Sequence, residues 1–134
     1  MKYNVLITGG AGNIGGSLSR NLVENGHNVF ILDNLSTGNK NKLPLKKYKN
    51  WSFIKYDINN PNFSKFFKNK KIDYIFHYAA VVGVKKTLKH PDLVLNDIKG
   101  IENILNFAVK KKSKENFLCI ILRNIWRTSY NSTK

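Results

Sequence analysis

Between an apolar run, Val5-Leu6-Ile7, and a segment of helical spacing, Ile14, Leu18, Leu22 and Val23, lies Thr8-Gly9-Gly10-Ala11-Gly12-Asn13-Ile14-Gly15. The apolar run reads as a buried strand and the later segment as a helix that ends at Gly26. A strand that turns into a helix through glycines reverses without Cβ clashes and lets the backbone come close to a phosphate. The N–H groups of the first helical turn, at the positive end of the dipole, then face the anion. Gly9, Gly12, Asn13, Ile14 and Gly15 are therefore candidates for holding a dinucleotide. An ordinary tight turn is the competing reading, because glycine-rich turns are common.

The next strand bears on that choice. Val29-Phe30-Ile31-Leu32 delivers Asp33 to a strand end, about 20 residues past the loop, where a dinucleotide fold needs an acid. A carboxylate there accepts hydrogen bonds from the ribose hydroxyls of adenosine and repels a 2′-phosphate, which favours NAD over NADP. Lys40 and Lys42 follow closely enough to soften that exclusion. Asn34, Ser36, Thr37 and Gly38 form a polar loop over the same ribose. The competing reading of Asp33 is a solvated carboxylate at a strand end.

Composition narrows the alternatives. The 134 residues suffice for one domain with a core, and a hydrophobic share of 42% argues against disorder. No secretory signal or membrane span is expected, since Gly9-Gly10 interrupts the first apolar run. One cysteine, Cys119, allows no internal disulfide and fits a cytoplasmic location. His27, His77 and His90 are scattered without metal-ligand spacing. The formal net charge of +15 raises nucleic-acid binding. Arginine, however, occurs only at 20, 123 and 127, and the remaining basic residues are lysines spread through helices and loops, not gathered as one patch interleaved with aromatics. With asparagine nearly as abundant, a solvated surface shaped by AT-rich codons accounts for the charge, so neither nucleic acid nor membrane is expected as a partner.

Further along, Asn39 to Asn50 reads as a polar loop with one helical turn, and Trp51 to Tyr56 as a strand. Asn62 to Lys70 is expected to be a short amphipathic helix with Phe63, Phe66 and Phe67 on one face. Ile72 to His77 reads as a strand, Pro91 to Lys112 as a long helix, and Phe117 to Leu122 as a fifth apolar run. The stripe Ile98, Ile101, Leu105, Ala108 and Val109 is expected to be the buried face of the long helix. Alternating strands and helices imply an α/β fold, a Rossmann-type doubly wound parallel sheet, with ligands at the carboxyl ends of the strands. Asp57 and Ile58 then face the crevice, suited to the adenine amino group and ring, although Asp57 also reads as a strand cap. Tyr78, Ala79 and Ala80 follow the fourth strand, and the two alanines let a cofactor lie flat on the backbone.

Together these residues resemble the NAD-dependent epimerase/dehydratase family, the extended short-chain dehydrogenases that act on nucleotide sugars. The resemblance runs from Lys2 to Phe117. It rests on Thr8 to Gly15, on Leu32-Asp33-Asn34-Leu35-Ser36-Thr37-Gly38, on Asp57-Ile58, on His77-Tyr78-Ala79-Ala80 and on Pro91 through Gly100. Leu32 to Gly38 is most like UDP-glucose 4-epimerase-like and UDP-glucuronate decarboxylase-like members. Asp97 departs from the pattern, where many relatives have asparagine. The resemblance implies a bound NAD that takes a hydride from a sugar ring and often returns it. It also implies a tyrosine with a lysine four residues on as general base, a Ser or Thr beside it, and homodimeric full-length relatives.

The catalytic part of that pattern is not found in this sequence. A serine-rich strand end and Tyr-Gly are expected after the fifth strand, but the chain reads Leu118-Cys119-Ile120-Ile121-Leu122-Arg123-Asn124-Ile125-Trp126-Arg127. Codons permitted for residues 119–128, read one base later, can spell Ala-Ser-Ser-Ser-Glu-Ile-Tyr-Gly-Glu-Pro, which looks like the missing motif. The expectation is a fold holding the first five strands of the sheet, with a Rossmann part over 1–117 and an aberrant tail over 118–134 from a frameshift. Codons around 118 that cannot yield the motif would sink this. Tyr130 and Lys134 match Tyr-x-x-x-Lys but lack the serine-rich strand end. The expected product is thus a truncated, inactive NAD-binding part of a nucleotide-sugar enzyme, with an uncovered sheet edge. The alternatives are a non-catalytic NAD-binding module or sensor, and a basic nucleic-acid-binding protein.

Overall fold

The structure, a computed structural model, describes residues 1–81, 88–112 and 118–121, the last without side chains. The expected tail beyond residue 121, with Tyr130 and Lys134, lies outside the described residues. Five parallel strands form one sheet: β1 (Asn4–Thr8), β2 (Asn28–Asp33), β3 (Trp51–Lys55), β4 (Tyr74–His77) and β5 (Leu118–Ile121), in the order β3-β2-β1-β4-β5. Helix α1 (Asn13–Glu24) joins β1 to β2, and α2 (Pro91–Lys112) lies between β4 and β5 in the chain. Strand order reverses at β1, which pairs with β2 on one side and β4 on the other. In open parallel sheets that reversal opens a crevice at the carboxyl ends of the strands.

Both faces of the sheet are covered, which is why β1 and β2 are nearly continuous apolar runs. Val5, Ile7, Val29 and Ile31 point to one side and pack with Val23 of α1. Leu6, Leu32 and Ile75 point to the other, with Ile104 and Phe107 of α2 and Phe63 and Phe67. The segment expected as an amphipathic helix is a 3₁₀ helix over Pro61–Phe67, with Asn60 accepting a hydrogen bond from the Asn62 N–H at its start. Phe63 and Phe67 are buried, and Phe66 packs against the cluster from its edge. The loop after β2 contains the expected helical turn, a 3₁₀ turn at Lys40–Lys42.

One expectation about a helix face is corrected. On α2, Ile98 and Val109 are 53% and 69% exposed and Leu105 is also exposed, whereas Gly100, Ile104, Phe107 and Ala108 are buried. The helix is apolar on two faces, and the sheet takes the one that carries Gly100 and the aromatic Phe107. On α1, Ile14 is exposed, and the buried residues are Gly15, Gly16, Ser19 and Val23. Small residues bring the first turn of α1 close to the sheet, while Ile14 turns to the crevice.

Candidate functional site

The glycine loop is shaped by contacts that leave no room for a side chain. Gly9 has φ of +69°, and a Cβ on it would lie 2.6 Å from the Ala79 nitrogen. A Cβ on Gly15 would collide with the Gly9 carbonyl oxygen. The loop is pinned by hydrogen bonds from the Gly9 N–H to the Leu32 carbonyl (2.8 Å) and from the Gly12 N–H to the Gly9 carbonyl (3.1 Å). Gly12 then precedes α1 as its N-cap, with no side-chain cap and no acid in the first turn of the helix. Its opening N–H groups have no helical acceptor, and the positive dipole end is not neutralised by a neighbouring carboxylate.

Asp33 ends β2 beside this loop and is 7% exposed. Its Oδ2 accepts from the Ala11 N–H at 2.9 Å and its Oδ1 from the Leu35 N–H at 2.7 Å. These bonds fix the plane of the carboxylate while leaving lone pairs on both oxygens for a ligand. Leu35 itself has a φ of +61°, a left-handed conformation rare for leucine. Gly38 comes so close that a Cβ there would be 2.9 Å from Asp33 Oδ1. The loop thus closes over the acid.

Across the crevice, β4 ends beside β1. Thr8 Oγ1 lies 2.6 Å from His77 Nδ1, and the Tyr78 N–H donates to the Thr8 carbonyl at 3.0 Å. Burial raises the pKa of the Tyr78 phenol above its ordinary 10.0. Asp57 caps its own turn through the Asn59 N–H at 2.9 Å, and α2 secures that turn where Asn103 Nδ2 donates to the Ile58 carbonyl. Asp97 of α2 accepts from the Val81 N–H at 2.7 Å.

All the residues singled out in the sequence line one crevice of about 320 Å³. Gly9, Gly12, Asn13, Ile14 and Gly15 form its base, and Asp33, Asn34, Ser36, Thr37 and Gly38 one wall. Asp57 and Ile58 close one end, and Tyr78, Ala79 and Ala80 line the β4 side. Sequence reasoning missed Leu32, Tyr56, Asn59, Val81 and Asp97. Asp97 sits within a stretch that carried the family resemblance, a signal that could have found it. So does Leu32, whereas Tyr56, Asn59 and Val81 carry no motif of their own. A glycine cradle filled by any Cβ, an uncapped helix start and a fixed acid at the end of β2 fit a dinucleotide.

A parallel sheet reversing at β1, with this crevice at its carboxyl ends, defines a Rossmann-type dinucleotide-binding fold. More narrowly, the chain belongs to the NAD dependent epimerase/dehydratase family, which it matches over residues 5–120. It is 41% identical over 115 residues to UDP-N-acetyl-alpha-D-glucosaminuronate decarboxylase from Bacillus cytotoxicus, covering 85% of this chain and 35% of that protein. It is 37% identical over 108 residues to a putative UDP-glucose 4-epimerase from Methanocaldococcus jannaschii, covering 79% and 34% respectively. Among solved structures, Thermus thermophilus UDP-glucose 4-epimerase in complex with NAD superposes with a TM-score of 0.73 at 30% identity. That match covers 81% of this chain and 34% of the Thermus protein. The chain thus spans about a third of the length of these two curated relatives. No helix among the described residues is long and apolar enough to cross a membrane.

Proposed function

We propose that the crevice holds NAD, and that residues 1–117 are the cofactor-holding part of a nucleotide-sugar epimerase or dehydratase. The observation that carries this reading is Asp33, held by the Ala11 and Leu35 N–H groups with acceptor capacity to spare. In this reading its carboxylate takes the adenosine ribose hydroxyls, and its charge rejects a 2′-phosphate. The uncapped start of α1 receives the diphosphate. Asp57 and Ile58 take the adenine, and Tyr78 to Ala80 support the other half of the cofactor. NAD supplies hydride acceptance from a sugar carbon and hydride return to it. The residues through Ile121 bind and orient, and with no tyrosine–lysine base in the family's place they do not turn over a sugar.

Titration calorimetry tests this directly. NAD is expected to bind and NADP to bind more weakly, while Asp33→Ala lowers NAD affinity about tenfold or more through loss of a charge-assisted hydrogen-bonding group. Equal affinity for NAD and NADP, or an Asp33→Ala variant that binds NAD normally, overturns the assignment. Epimerase or dehydratase turnover by this chain overturns the claim that it lacks the base.

A further inference from the structure

The described residues that line the crevice include the acids Asp33 and Asp57 and no Lys, Arg or His, in a chain whose formal net charge is +15. A dinucleotide brings a dianionic diphosphate into that field. Helix α1 offers only partial positive charge, roughly half an elementary charge. A full cation nearby would offset the balance.

Lys42 is built into that position. The Asn39 N–H donates to the Ala11 carbonyl at 2.9 Å, tying the loop after β2 to the glycine loop. The 3₁₀ turn Lys40–Lys42 begins at Asn39, whose side chain accepts from the Asn41 N–H. Lys42 then lies against α1, where a Cβ on Gly16 would be 2.9 Å from the Lys42 carbonyl oxygen. From there its ammonium donates to Asn13 Oδ1 at 2.5 Å. Asn13 lines the crevice and is the first residue of α1. The ammonium is thus held at the open end of the helix, with two further donors to offer.

We infer that Lys42 is a specificity-determining residue that reads the diphosphate of the bound nucleotide. The inference rests on the proposal that the crevice holds a dinucleotide. Lys42 acts through field and position at the start of α1, and it does not soften the exclusion of a 2′-phosphate beside Asp33. A partly exposed charge of this kind is expected to change diphosphate affinity about two- to fivefold at low salt. The difference closes near about 0.5 M salt, where the screening length is a few ångströms.

The test measures binding of adenosine, ADP, 2′,5′-ADP and NAD to the whole chain, wild type and Lys42→Met, at low and high salt. Methionine keeps a long apolar stem, and Lys42→Gln replaces it should the first variant not fold. ADP and NAD are expected to bind the variant about two- to fivefold more weakly at low salt, with adenosine unchanged and the gap lost at high salt. Unchanged ADP affinity overturns the inference. So does an equal loss for adenosine, which would mark a packing role, or a loss confined to 2′,5′-ADP, which would place the ammonium at the ribose. A wild-type chain that binds neither ADP nor NAD overturns the dinucleotide assignment and this inference with it. Wild-type binding that Lys42→Met leaves intact overturns the role of Lys42 alone.

Discussion

Thr8 Oγ1 and His77 Nδ1 lie 2.6 Å apart, buried at matching register of β1 and β4, although 69 residues separate them in the chain. The Ala79 N–H approaches the same hydroxyl oxygen at 3.4 Å. The pair welds the two strands on either side of the topological reversal just below the glycine loop.

Stability is expected to fall on acidification through His77. Burial lowers its pKa from 6.5 to about 4. The unfolded chain takes up the proton near 6.5 and the folded chain only near 4, so the unfolded state binds more protons between those values. The contribution is fully present above about 6.5 and lost as pH falls toward 4, amounting to about 3 kcal/mol across the window. Urea denaturation at a series of pH values checks this against His77→Asn, which does not titrate and should show a shallower fall. Parallel curves for the two proteins would count against it.

Thr8→Val removes the hydroxyl at nearly constant volume and leaves a buried imidazole nitrogen without its partner. The expected cost is about 1–3 kcal/mol. Thr8→Ser, which keeps the hydroxyl, should recover most of it. Denaturation midpoints of the two variants decide the matter, and equal losses would mean the methyl group matters more than the hydrogen bond.

Gly9→Ala should be among the most damaging small substitutions in the chain. It combines a positive φ with a Cβ placed 2.6 Å from the Ala79 nitrogen, and backbone cannot yield as a flexible side chain does. Strain of about 1–3 kcal/mol is expected from the conformation alone, before the clash is counted. Thermal melting reads the stability loss, and calorimetry should show NAD binding lost in whatever fraction remains folded.

The two apolar faces of α2 should respond differently to substitution. Ile104→Ala opens a cavity in the core and is expected to cost about 2–5 kcal/mol. Ile98→Lys and Leu95→Lys, on the exposed face, should change stability by no more than about 0.5 kcal/mol. Similar losses at Ile98 and Ile104 would show that the exposed face is covered in solution.

Those faces also mark where sequence reading stopped. Val5 to Ile7 and Val29 to Leu32 could be placed from sequence because strands buried on both sides are apolar at every position. The crevice residues were legible because glycines, an acid at a strand end and small residues after β4 are each demanded by backbone geometry. On α2 the 3.6-residue period fits two stripes, and periodicity cannot say which one the sheet takes. The stripe with Gly100 and Phe107 is buried, because Phe107 fits among Phe63 and Phe67 and Gly100 lets α2 approach Asn59 and Ile58. Asp97 and Val81 come together only in three dimensions. Likewise Lys42, near Asp33 in sequence, is turned to Asn13 by the packing of its backbone on Gly16.

The crevice draws its lining from the carboxyl ends of β1 and β2 and from the residues just beyond β3 and β4. A ligand lying along it would therefore brace the sheet from one side of its central strand to the other. Opening any one of these strand ends would require the ligand to leave first. At a hundredfold excess over its dissociation constant the brace is worth about 2.7 kcal/mol. Its footprint would be a common slowing of amide hydrogen exchange in β2 and β4, strands that share no hydrogen bond.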